Sequence, residues 1–325
     1  MKLGSLKNSS LPDGDPVLVS QNNREAVKID SIVSSLRVAV ETWSEVRPKL
    51  ELLYQELNNG TLKNTFKVQE EDFHSPLPRS FQWLDGSAFV QHVKLVRKAR
   101  NAPVPPDLLT VPLMYQGGSD TFLSPREDMT LLDDKFGMDF EGEVAVVTSF
   151  VPRGTNAQAA LNHIVLVMLV NDVTLRGLVP AELAQGFGFL QSKPSSAFSP
   201  FALTLDEFGD SWKNGRLHLP LLVDYNNQFF GDADAGDMHF SFGELIAHAA
   251  RTRDLTAGTI LGSGTVSNED TKRGSSCLAE KRMLEQINSG EIKTPFMKNG
   301  DTIKIEMRKS GVNLFGTIQQ KVRKV

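Results

Sequence analysis

One cysteine, Cys277, stands in a chain of 325 residues, so neither an internal disulfide framework nor a zinc site built on several thiolates can form. No run approaches the ~20 apolar residues of a membrane span, and the opening Met1-Lys2-Leu3-Gly4-Ser5-Leu6-Lys7 lacks the apolar core of a signal peptide. Cytoplasm is the expected compartment. The 35 Lys and Arg against 39 Asp and Glu leave a formal net charge of -4, with no basic footprint for nucleic acid or an anionic membrane. Gly262-Ser263-Gly264 is not the Gly-x-Gly-x-x-Gly of a dinucleotide site, no phosphate-loop Gly-Lys-Ser/Thr occurs, and no Gly-x-Ser-x-Gly elbow is present. Nucleotide and serine-hydrolase chemistries are set aside on those grounds.

The chain is long enough for about two domains at roughly 150 residues each. Residues 17–20 read as a strand, and residues 29–57 carry apolar side chains at helical spacing, stopped by Asn58-Asn59-Gly60. His74-Ser75-Pro76-Leu77-Pro78 reads as an exit linker, which divides the chain into a small N-terminal α+β unit, 1–78, and a larger unit, 79–325. In the larger unit, residues 144–147, 165–170, 217–224, 302–307 and 312–318 read as strands of an antiparallel assembly. Helices are expected over 157–164 behind an Asn156 cap, over 242–250 after Ser241, and over 279–287. Long Gly-, Pro- and Ser-containing stretches at 101–127, 177–201 and 262–277 are where function is to be sought.

The acids carry the chemistry. Glu141 and Glu143, at i and i+2 of an apolar strand, point to one face, and Asp172 ends a second apolar run. Buried carboxylates are costly without a cation or donors, and hard oxygen ligands suit Mg²⁺, Ca²⁺ or Mn²⁺. The plainer reading is a solvated sheet edge that happens to carry two acids.

Through Asp139-Phe140-Glu141-Gly142-Glu143, Leu169-Val170-Asn171-Asp172, Gln191-Ser192-Lys193 and Gly262-Ser263-Gly264-Thr265-Val266-Ser267, residues 80–320 resemble the fumarylacetoacetate hydrolase family. The resemblance implies a mainly β fold with α+β elements: a mixed β-sandwich or β-roll catalytic domain, homodimeric, with a small barrel-like domain before it. Matched position by position, it implies Glu141, Glu143 and Asp172 as ligands of a divalent metal ion. Asp85 would be a fourth ligand, seven residues before a catalytic His92. Lys193 matches a catalytic lysine that compensates the acid cluster. Glu280, two residues further from Gly274 than the family spacing, would orient His92, with Glu269 and Asp270 as substitutes. Tyr115, Arg176 and Thr265 match substrate-binding positions, and one of Arg97 and Arg100 would add a second cation. Cys277 as a nucleophile is the weaker reading, because a free cysteine is commonly a small core residue.

What the family implies for this chain is hydrolysis of a carbon–carbon bond in a 1,3-dicarbonyl acid such as fumarylacetoacetate, as in aromatic amino acid breakdown. Relatives that hydrolyse acylpyruvates, decarboxylate, hydrate or isomerise keep the other reactions open. A protein that binds a carboxylate ligand with Ca²⁺ as glue, its His92 packed away from the acids, is the non-enzymatic rival. Two departures from the family pattern, Gln116 in place of a histidine and Val179 in place of a glutamine, are expected to touch the substrate pocket.

Overall fold

The computed structural model describes residues 1–99 and 107–325, with side chains of 96–99 excepted. Arg97 and Arg100, the candidates for a second cation, lie outside the residues whose side chains are described.

The middle of the fold is the pair of strands Gly142–Thr148 and Ile164–Asn171, antiparallel with Val146 opposite Val167. Every residue of both strands is buried, which explains why they read as unbroken apolar runs. Alternation sends Val144 and Val146 into one core and Ala145 and Val147 into another. The first core packs against a second sheet through Leu221, Val223, Ile303 and Ile305. The other is covered by the helix Trp43–Asn58, whose Val46, Leu50, Tyr54 and Leu57 are buried at helical spacing.

The central pair belongs to an 11-stranded sheet. On one side it continues through Phe201–Leu203 into Lys2–Leu6, Asp15–Val19, Glu25–Lys28 and Phe66–Lys67; on the other through Ile260–Gly262 and Trp83–Gly86 to Met114–Gly117. The strands of the small N-terminal domain join this sheet edge to edge. Leu3 pairs with Ala202, so they extend the sheet that carries the acids. Ile260–Gly262 and Trp83–Gly86 run parallel, with Gly262 beside Asp85. Six further strands form the second sheet, among them Leu221–Tyr225, Thr302–Lys309 and Ile318–Lys324.

Several elements end sooner than the apolar pattern suggests. The 29–57 helix is two helices, Leu36–Glu41 capped by Ser35 and Trp43–Asn58, divided at Thr42, whose hydroxyl donates to the Val38 carbonyl at 2.9 Å. Ile29 is buried outside any helix, so its period was accidental. Asn156 does cap a helix, but only Ala157–Ala160, because Ile164 opens the central strand. The 217–224 run divides at Pro220 into Arg216–Leu217 and Leu221–Tyr225, as proline's missing N–H requires. The 312–318 run divides likewise into Val312–Asn313 and a strand beginning at Ile318.

Candidate active site

Neighbouring strand ends bring three acids together. Asp85 lies near the end of Trp83–Gly86, Glu143 near the start of Gly142–Thr148, and Asp172 directly after Ile164–Asn171. One oxygen from each lies within 4.8 Å of the others, and all three are buried. Asp172 accepts from Ser196 Oγ at 2.6 Å, Tyr115 Oη at 2.7 Å and Lys193 Nζ at 2.5 Å. Asp85 accepts the Gly264 N–H at 3.0 Å. Gly264 has φ +75°, and a Cβ there would lie 2.4 Å from the Gly86 carbonyl oxygen, so only glycine delivers this donor.

Neither oxygen of Glu143 has a hydrogen-bond partner among the described residues. Burial first, then Asp85 and Asp172, pushes its carboxyl well above the usual range. Burial and Asp172 likewise push Asp85 up to about 7, against the pull of Lys193. An orphaned buried carboxylate beside two more, with one ammonium touching the cluster, fits a divalent cation held by hard oxygens. The solvated-edge reading fails on burial, since Glu143 is fully covered.

Glu141 lies outside this cluster of three. It accepts from Arg176 Nη2 at 2.7 Å, Lys193 Nζ at 2.6 Å, Thr265 Oγ1 at 2.9 Å and Thr174 Oγ1 at 3.1 Å. Against burial, which would raise it, Arg176 and Lys193 hold its carboxyl far below the usual range. The Lys193 side chain, 8% exposed, bridges Glu141 and Asp172, which keeps it charged despite the cost of desolvation. Glu182, on the helix Val179–Gln185, accepts the backbone N–H groups of Leu190, Gln191 and Ser192, and so pins the segment that presents Lys193. Nothing in the one-dimensional pattern marks Glu182 for that duty.

His92 and Glu280 come from different helices, Val90–Ala99 and Leu278–Ser289, and meet with Nδ1 and Oε2 3.2 Å apart. Glu280 is the third residue of its helix and is 2% exposed, whereas Glu269 and Asp270 are exposed. The longer spacing from Gly274 is taken up by the segment leading to the Cys277 N-cap. His92 lines the same cleft as Asp85, Glu141 and Glu143, so it is not packed away from the acids. Burial, and after it Asp139, pushes the Cys277 thiol well up, which makes it a poor nucleophile.

The cleft, about 150 Å³, is lined by acids and cations together with Phe89, Val179 and Phe189. Tyr115, Arg176 and Thr265 line it too. Val179 therefore does alter the cleft. Gln116 does not: it faces an adjoining cavity with His248 and Arg253, because Tyr115 and Phe189, packed edge to face at 5.5 Å, line both spaces and stand between them.

An acid-lined cleft at converging strand ends, beside a carboxylate-held imidazole, is the equipment of an enzyme acting on a small molecule. Residues 82–323 match the family model described as fumarylacetoacetate (FAA) hydrolase C-terminal, and residues 1–79 match fumarylacetoacetase N-terminal domain 2. The chain belongs to the fumarylacetoacetate hydrolase family. Among curated relatives, it is 24% identical over 243 residues to the oxaloacetate tautomerase YisK of Bacillus subtilis, covering 74% of this chain and 71% of that protein. Its fold is similar to a maleylpyruvate hydrolase from Sphingobium sp. SYK-6, with a TM-score of 0.66 and 13% identity over the whole of both chains. It is equally similar to a fumarylacetoacetate hydrolase from Exiguobacterium antarcticum, with a TM-score of 0.66 and 14% identity over the whole of both. Family members thus include hydrolases and a tautomerase. No helix among the described residues is long and apolar enough to cross a membrane.

Proposed function

We propose that this protein is a metal-dependent hydrolase that cleaves a carbon–carbon bond of a 1,3-dicarbonyl acid, with fumarylacetoacetate, split into fumarate and acetoacetate, as the first substrate to test. The observation that supports it most is the His92–Glu280 pair in the same cleft as the acid cluster. Asp85, Glu143 and Asp172 would hold the cation, with Glu141 completing the set after exchanging part of its contact with Lys193. When bound, the cation supplies Lewis acidity to a substrate carbonyl.

Glu280 occupies Nδ1 of His92, which leaves Nε2 as the base that takes a proton from water. The water oxygen bonds to the acyl carbon, the carbon–carbon bond breaks with its electron pair on the departing carbon, and that carbon receives the proton, so water is the sole co-reactant. Lys193, cationic and lining the cleft, offers charge to the developing oxyanion, and Arg176 and Tyr115 orient the carboxylate and carbonyl groups of the substrate.

The likeness to an oxaloacetate tautomerase supports a second reading, in which the same imidazole moves a proton between carbon and oxygen without cleavage. Product analysis on fumarylacetoacetate, fumarylpyruvate and oxaloacetate side by side decides between them. Release of fumarate from the first supports the proposal, release of fumarate and pyruvate from the second moves the substrate to acylpyruvates, and interconversion of oxaloacetate tautomers alone selects the second reading.

A further inference from the structure

Asp139 is wholly buried beneath the cleft and is used by neither the acid cluster nor the His92 pair. Its Oδ1 accepts the Leu278 N–H at 2.8 Å, and its Oδ2 accepts the Ala279 N–H at 3.0 Å and the Arg176 Nε–H at 2.9 Å. Leu278 and Ala279 are the first two residues of the helix Leu278–Ser289, and Glu280 is the third. A helix start leaves its first N–H groups without partners, and a carboxylate there is favoured by the helix dipole. The residue in the cap position, Cys277, offers only a sulfur, 3.3 Å from the Glu280 N–H, and sulfur is a weak acceptor. The acceptor that holds this helix end comes instead from the strand Met138–Asp139, which is fixed by pairing with Thr174–Leu175 just before Arg176.

We propose that Asp139 is a positioning residue for the His92–Glu280 pair: by fixing the first turn of the helix Leu278–Ser289 it sets where Glu280 Oε2 meets His92 Nδ1. The same carboxylate steadies Arg176 against Glu141. The inference rests on the reading of His92 as the base, and extends it to a residue that touches no substrate. Asparagine at this position keeps the volume but turns one oxygen into an N–H donor. Whichever way the amide faces, that donor meets either the Leu278 N–H or the Ala279 and Arg176 donors.

The test compares Asp139→Asn and Asp139→Ser with the full-length wild type in three measurements: Mn²⁺ affinity by calorimetry, the nuclear magnetic resonance signal of the His92 Nδ1 proton, assigned by its loss in His92→Ala, and kcat and KM separately. Expected is Mn²⁺ affinity within about threefold of wild type, loss of the His92 signal, and a fall in kcat of roughly 10² with KM changed by about threefold at most. Wild-type signal and kcat would overturn the proposal, as would a fall in kcat matched by loss of Mn²⁺ binding, or the failure of both variants to fold. The resonance requires no substrate, so a wild-type protein that does not hydrolyse would refute the proposed reaction while this measurement still decides the role of Asp139.

Discussion

A methyl group placed on Gly262 would strike the centre of the acid cluster. An added Cβ would lie 2.4 Å from Asp85 Oδ1, 2.5 Å from Trp83 Cη2 and 3.0 Å from Glu143 Oε2. Trp83 is poorly placed to yield: its indole lies against Gly117, where a Cβ would come within 2.1 Å of it, and it packs edge-on to Phe198 at 5.3 Å. The displacement therefore falls on the carboxylates, and Asp85 Oδ1 must move about 1 Å to restore ordinary van der Waals contact. Overpacking of this kind costs about 1–3 kcal/mol of stability. Disturbance of a metal ligand's support costs roughly 10- to 100-fold in affinity, or about 1.4–2.7 kcal/mol of binding. Gly262→Ala is thus expected to melt a few degrees lower but remain folded, and to bind Mn²⁺ at least about tenfold more weakly in a calorimetric titration. Wild-type Mn²⁺ affinity in a folded Gly262→Ala protein would show that the cation does not sit among these oxygens.

Three other outcomes follow from the site. His92→Ala should lose roughly 10²–10⁴ in turnover while binding Mn²⁺ like the wild type, and undiminished turnover would remove His92 from the chemistry. In metal-free protein burial and Asp172 push Asp85 up to about 7, and burial, Asp85 and Asp172 push Glu143 well above the usual carboxylate range, so an incoming cation must displace protons. Mn²⁺ affinity should consequently fall as pH drops below about 7, by roughly tenfold per pH unit for each proton displaced; titrations in buffers of different ionisation enthalpy count those protons, and a count of zero at pH 6 contradicts the assignment. Cys277→Ser should retain activity, because serine can cap the helix Leu278–Ser289 and the buried thiol is not used. Loss of turnover to background would restore the thiol as a participant.

The features legible in the sequence are those governed by local spacing. Glu141 and Glu143 two apart on an apolar run, and Asp85 seven before His92, describe a strand and a strand-to-helix passage, and all four residues line one cleft. The chemistry of Glu141 was less legible, because its partners Arg176 and Lys193 lie 35 and 52 positions away and meet it only through the tertiary fold. For the same reason Asp139, although inside the motif, showed no role: its partners Leu278 and Ala279 lie 139 and 140 positions on. The joining of Lys2–Leu6 to Phe201–Leu203 is of this kind as well, since sheet partners across 200 positions leave no periodic trace in either strand. Gln116 shows the converse limit. It adjoins Tyr115 and shares the neighbouring cavity with it, yet of the two only Tyr115 also lines the cleft with the acids.

Asp85, Glu143 and Asp172 are expected to hold a divalent cation beside His92. Anomalous diffraction from crystals grown with Mn²⁺ tests it most directly. A peak is expected among these three carboxylates, at ligand distances between the ~2.1 Å typical of Mg²⁺ and the ~2.6 Å upper end for Ca²⁺; no peak there, in crystals whose protein turns over substrate, would mean that the acids serve another purpose.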